Sequence, residues 1–159
     1  RPLLTTRLRH AARGAKGKAT VVLQTVLGWD GSYARTGRDG RVDPGVATWQ
    51  EFKKQATRIA MERFGKAAAR FGLEPNHEHV FDVSDPTAYA LRTLKPTGYR
   101  QAAEAAFDEL ATRFKSSDPS AWRSPRAMFD IAAQGAGQPP PMPFFDRGTW
   151  EQIVELGPG

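Results

Sequence analysis

DPGVATWQEFKKQATRIAMERF, residues 43–64, carries the clearest helical pattern in the sequence. Asp43 has N-cap chemistry, because its carboxylate can accept from first-turn N–H groups, and Pro44 at the first helical position gives up a hydrogen bond that no helix makes there. Trp49, Phe52, Ala56, Ile59, Ala60 and Phe64 recur at spacings of three and four, which predicts a helix with one stripe facing a core. Lys53, Lys54, Arg58 and Arg63, together with Glu51 and Glu62, are expected on the solvated side.

Outward from this helix, the same punctuation recurs. Upstream, residues 32–42 form a polar, glycine-bearing loop, and 19–28 place Val22, Leu23, Val26 and Leu27 on overlapping faces. That pattern reads as a largely buried helix, with a strand as the alternative because of its β-branched content. Trp29-Asp30-Gly31 ends the element: Gly28 and Gly31 can take positive φ, and Trp29 suits a core plug. Residues 1–18 carry Leu3, Leu4 and Leu8 at helical spacing, but Gly14 and Gly17 weaken a helix, so a short helix followed by a loop is expected.

Downstream, Asp85-Pro86 opens a short helix with Ala88, Leu91 and Leu94, stopped by Pro96. Thr97 precedes a longer one carrying Tyr99, Ala103, Ala106, Phe107, Leu110 and Phe114. Asp118-Pro119 and Ser124-Pro125 are read as starts of two more short helices, bringing in Trp122, then Met128, Phe129 and Ala132, with Gly135 as a C-cap. Residues 135–143, GAGQPPPMP, predict an extended connector, in part polyproline II. The fold class so far is mainly α, short stacked helices.

The 159 residues, 40% hydrophobic and 25% charged, suffice for one domain with a core. No run approaches the roughly 18 apolar residues of a membrane span. Zero cysteines exclude disulfides, thiolate nucleophiles and Cys-ligated metals within the chain. The net charge of +6 is concentrated at one end: residues 1–41 hold nine Lys/Arg against Asp30 and Asp39, a net of +7, and the rest carries −1. Arg1, Arg7, Arg9, Arg13, Lys16 and Lys18 could follow phosphates electrostatically. No zinc-finger spacing, aromatic RNA-binding strand pair or basic helix leading into heptads accompanies them.

Candidate chemistry is sparse. Gly14-x-x-Gly17-Lys18-Ala19-Thr20 has two residues between its glycines where a phosphate loop needs four, and lacks Ser/Thr directly after the lysine. His77 and His79, with Asp82, have the outline of a metal set, but a histidine pair in a polar loop suits a surface equally. Glu104, Asp108 and Glu109 follow helical periodicity on an outer face. The serines at 32, 84, 116, 117, 120 and 124 fall in loops or cap positions, and no triad assembles with the three histidines.

The end of the chain adds a resemblance. Leu27 to Gly31, the aromatic helix after Asp43-Pro44, the Trp122 segment and Phe145-Asp146-Arg147-Gly148-Thr149-Trp150-Glu151-Gln152-Ile153-Val154-Glu155-Leu156-Gly157 resemble the penicillin acylase family, amidases with an N-terminal serine nucleophile. The resemblance implies that residues 1–138 are the helical region of a large catalytic chain. Residues 139–159 would then be a connector and the start of a strand joining an αββα N-terminal-nucleophile hydrolase core. It makes Trp29, Asp30, Gly31, Asp146, Arg147, Gly148, Thr149 and Trp150 family-motif structural residues, with no metal and no cofactor for the chemistry.

Family members are made as precursors and cleaved so that a serine heads the large chain, whose α-amine acts as base. This chain begins with Arg1, and its one asparagine, Asn76, lies downstream of Trp29-Asp30-Gly31, so no catalytic residue carries over. What the resemblance implies is a supporting segment of an amidohydrolase that cleaves penicillin or other N-acyl amides, a route to antibiotic resistance, through an acyl-enzyme. Its partners would be the rest of the large chain and the small chain, in the periplasm or outside the cell. The ending on Gly-Pro-Gly agrees with a piece of something longer. Local signals at residues 149–156 stay divided between a capping-box helix and a strand. The competing reading is a non-catalytic helical interaction module whose basic N-terminal region binds nucleic acid.

Overall fold

Helices succeed one another along the chain because nearly every amphipathic run in it has a three-to-four-residue period. The computed structural model describes residues 2–33, 36–70, 86–126, 128–129 and 142–143. Its helices are α1 (Pro2–Arg13), α2 (Gly17–Gly28), α3 (Pro44–Arg70), α4 (Pro86–Thr93) and α5 (Pro96–Phe114), followed by a 3₁₀ turn at Pro119–Ala121. Two short strands, β1 (Met128–Phe129) and β2 (Met142–Pro143), pair antiparallel with Met128 opposite Pro143 and Phe129 opposite Met142.

Helix α3 starts as its sequence requires: Asp43 Oδ1 accepts from Gly45 N at 2.7 Å, and the Asp43 carbonyl accepts from Val46 N at 3.0 Å. Its apolar stripe enters the core through Phe52, Ala56, Ile59 and Ala60, while Trp49 and Phe64 are half-buried. α3 packs most extensively on α5, and α2 lies on α5 from another side. The reason two helices can share α5 is its composition. Ala102, Ala103 and Ala106 are all buried, and side chains this small let neighbouring backbones approach closely. Leu8 and Ala11 of α1, and Ala19, Val22, Leu23 and Val26 of α2, complete the same core.

Polar groups inside are partnered. The buried Tyr99 donates its hydroxyl to the Leu91 carbonyl at 2.5 Å; burial pushes its pKa up, against the opposing charge of Arg7. Trp122, fully buried, sits edge-on to Phe107 with ring centroids 5.4 Å apart and donates its indole N–H to the Ser116 carbonyl at 2.8 Å. The glycine-bearing loop before α3 is stitched down by Arg123. Its guanidinium donates to both oxygens of Asp39, at 2.8 and 2.9 Å, and to the carbonyls of Val42 and Arg41.

Several expectations change. α1 runs as an α-helix to Arg13, and three residues, 14–16, separate it from α2, which begins at Gly17. Thr97 does not precede α5 but lies in its first turn: the helix begins at Pro96, preceded by Lys95, which makes no side-chain cap hydrogen bond. Ser124-Pro125 opens no helix. Val42 N donates to the Ser124 carbonyl at 3.0 Å and Arg41 bridges Pro125, so the segment is extended, and Met128–Phe129 is strand. Gly135 lies outside the described residues.

The larger correction concerns the architecture. A C-terminal strand entering an αββα core needs a sheet to join. Among the described residues, strand pairing amounts to the two-residue pair of β1 and β2 and the isolated bridges Thr36 to Val42 and Arg41 to Pro125. The apolar faces of the helices are buried against one another in one helical core, with no sheet layer among the described residues. The resemblance to penicillin acylases therefore fails at the fold. With it goes the reading of the chain as a segment of an N-terminal-serine amidohydrolase, together with the zymogen and antibiotic-resistance associations. The proposed strand at 149–156 lies outside the described residues.

Candidate functional site

The most chemically distinctive surface is built on the outer side of α1. Leu8 and Ala11 are buried, and Leu4 and Ala12 pack against the core, which turns Arg9, His10 and Arg13 outward. No acidic residue occurs in 1–29 or in 86–103, so the two segments that meet here, α1 and the start of α5, carry only positive charge.

Two adjoining clefts flank the helix. One, of about 750 Å³, lies between α1 and the end of α2 and is lined by Thr6, Arg9, Ala12, Arg13, Gln24 and Leu27. The other, of about 530 Å³, lies between α1 and the start of α5, with His10, Arg13, Lys95, Thr97 and Arg100 around it. Arg13 belongs to both. The Arg100 guanidinium lies against Gly14, where a Cβ would occupy its place. The first turn of α5 has no acidic residue, so the positive end of its dipole adds to the field of the second cleft. The side chains of Arg9, His10, Arg13, Lys95 and Arg100 form no hydrogen bond or ion pair with any other described residue. Like charges held together in this way raise the free energy of the fold unless an anion offsets them.

Of the cations singled out in the sequence, the structure unites only some. Arg9 and Arg13 meet at the clefts, and Lys16 is exposed in the connection to α2. Arg7 is diverted to the Arg92 carbonyl, Lys18 pairs with Asp108 at 2.7 Å, and Arg1 lies outside the described residues. Lys95 and Arg100, about ninety residues away in sequence, were not among the candidates. The only local signal for them is that the 86–103 stretch lacks any acid.

The other candidates have structural surroundings. Trp29 is half-buried at the end of α2, donates Nε1–H to the Ser32 carbonyl at 3.2 Å and stands edge-on to Tyr33. Asp30 Oδ1 accepts from Ser32 N at 2.8 Å, and Gly31 takes φ 84°, so Trp29-Asp30-Gly31 shapes a turn. Asp146, Arg147, Gly148, Thr149 and Trp150 lie outside the described residues, as do His77, His79 and Asp82. Ser116 accepts from Asp118 N, and Ser120 bonds Asp118, whose pKa is lowered chiefly by the Ser120 hydroxyl; these serines serve a cap. Among the described residues no group of three or more His, Asp or Glu gathers as for a metal ion, and no helix is long and apolar enough to cross a membrane.

A second charged feature lies inside the fold. Glu51, expected on the solvated face of α3, has a side chain only 2% exposed. Its Oε2 accepts from Arg113 at 2.6 Å and its Oε1 from Gln55 at 2.8 Å, which ties α3 to α5. Comparison with family models, with curated proteins and with solved structures gives no match for this chain.

Proposed function

We propose that this chain is a non-catalytic helical interaction module whose α1 end binds nucleic acid through the phosphate backbone. The observation that supports it is the gathering of Arg9, His10, Arg13, Lys95 and Arg100, unpartnered by other described residues, around two adjoining clefts. Concave, cation-lined surfaces raise the local concentration of anions and follow a charged backbone without reading sequence. An anionic bilayer is the weaker partner. The apolar residues of α1 whose side chains are described face the core, leaving none of them to insert among lipid chains.

The test is fluorescence anisotropy with a labelled oligonucleotide at 50 and 200 mM salt. With Arg9, Arg13, Lys95 and Arg100 engaged, log K falls against log salt with a slope of about −3. The triple variant R9Q/R13Q/R100Q loses binding. Lys66→Gln, a cation on α3 remote from α1 in sequence, keeps it. Absence of binding at 50 mM salt, or equal binding by the triple variant, overturns the proposal.

A further inference from the structure

The two clefts differ in chemistry, and the difference points to the form of the ligand. The α1/α5 cleft gathers three cations, Arg13, Lys95 and Arg100, with His10 beside them, as a phosphate requires. The α1/α2 cleft is larger and mixed. Ala12 and Leu27 give it apolar surface, Gln24 offers an amide donor and acceptor, and Arg9 supplies a guanidinium plane. A backbone held by charge alone would leave that apolar surface unused. An unstacked base uses all of it, since its face stacks on a guanidinium and its edge pairs with an amide.

We infer that the α1 end recognises single-stranded nucleic acid, one unpaired base entering the α1/α2 cleft while a neighbouring phosphate lies in the α1/α5 cleft, with Arg13 spanning the two. The inference rests on the proposed nucleic-acid reading and adds the strandedness of the ligand. Arg13 lines both clefts, so the two ligand parts must lie within one side chain's reach of each other. A base and an adjoining phosphate of the same strand satisfy that. In a duplex the bases are stacked and paired within the helix, and entering a cleft would require flipping one out at a cost of a few kcal/mol.

The experiment compares four labelled or competing ligands at one salt concentration: a twelve-nucleotide single strand, the same strand with abasic sites throughout, a blunt duplex of equal length, and inorganic polyphosphate. The expected result is binding of the intact strand about tenfold tighter than each of the others, the size of one base contact. Gln24→Ala weakens the intact strand and leaves the abasic strand unchanged. Arg13→Gln weakens both and makes the salt slope shallower by about 0.7. Equal affinity for the intact and abasic strands, or for the duplex, overturns this inference while leaving backbone binding in place. Failure of all four ligands to bind at low salt overturns the underlying reading as well.

Discussion

Replacing Glu51 by Gln removes one charge and almost no volume from the contact between α3 and α5. The Glu51 carboxylate accepts from two donors at once, Arg113 Nη2 and Gln55 Nε2, with Lys54 Nζ 3.4 Å away. An amide can accept at only one of these positions; its NH₂ must face the other donor. Gln55 cannot relieve the conflict by turning over, because its own Oε1 accepts from Arg58 Nε at 3.0 Å and the mismatch would pass to that arginine. A lost hydrogen bond to a charged group and a buried donor left unsatisfied each cost about 1–3 kcal/mol. Arg113 is half-exposed and regains water, so the net loss is placed at about 2 kcal/mol. In urea, with a denaturant slope of about 2 kcal/mol/M for a chain of this size, the midpoint falls by about 1 M at pH 7.

The pH dependence of that gap is a second reading of the same interaction. Burial pushes the Glu51 carboxyl up, but the hydrogen bonds from Gln55 and Arg113 and the charges of Lys54 and Arg113 outweigh it and hold the pKa below the ordinary 4.5. The folded chain thus binds this proton less readily than the unfolded chain. The stabilisation is fully present above the unfolded value and is lost as pH falls through the folded one. The midpoint difference between the natural protein and E51Q should therefore be constant from pH 7 to about 5 and shrink below pH 4.5. Identical midpoints at pH 7, or a gap unchanged down to pH 3, would rule out this role for Glu51.

Two further substitutions probe the packing that holds the clefts in place. Trp122→Ala empties a fully buried site against Phe107 and should cost about 3–5 kcal/mol, whereas Trp122→Phe keeps much of the ring but leaves the Ser116 carbonyl without its donor, at about 1–3 kcal/mol; calorimetry should rank natural protein, Phe and Ala in that order of falling Tm. Gly45→Ala gains helix propensity of about 1 kcal/mol, yet its Cβ would overlap the Trp29 side chain, held by its bond to Ser32 and its contact with Tyr33. A lower Tm with altered tryptophan fluorescence is expected, and a higher Tm would show that Trp29 moves aside freely.

The start of α3 was legible because a cap is a local device. Asp43, Pro44 and the first-turn N–H groups lie within three residues of one another, and the observed Asp43 to Gly45 bond is the one the residue types require. Ser124-Pro125 shows where the same reasoning stops. Proline fixes its own φ and pushes the residue before it toward extended geometry, which suits a helix start and an edge segment alike. Val42, eighty-odd residues upstream, decides between them by donating to the Ser124 carbonyl. The resemblance misled at the level of the fold for a related reason: short motifs carry turn chemistry and alternation, but not the sheet layer that a catalytic core of that kind needs.

Charge sorted in the same way. Residue order alone made the chain mainly helical and made its first quarter basic, since periodicity and composition are properties of neighbours along the chain. It placed Glu51 among solvated charges, because a carboxylate just ahead of Lys53, Lys54 and Arg58 has no local reason to be buried; packing of α3 on α5 supplies Arg113 and makes burial possible. The candidate interface depends on tertiary structure to the same degree. Six cations were equivalent along residues 1–18, and folding spent Arg7 and Lys18 on internal partners while bringing Lys95 and Arg100 beside Arg9, His10 and Arg13. Electrostatic and apolar recognition act through distance in space, so which charges form a site was settled only when α1 came to rest against α2 and α5.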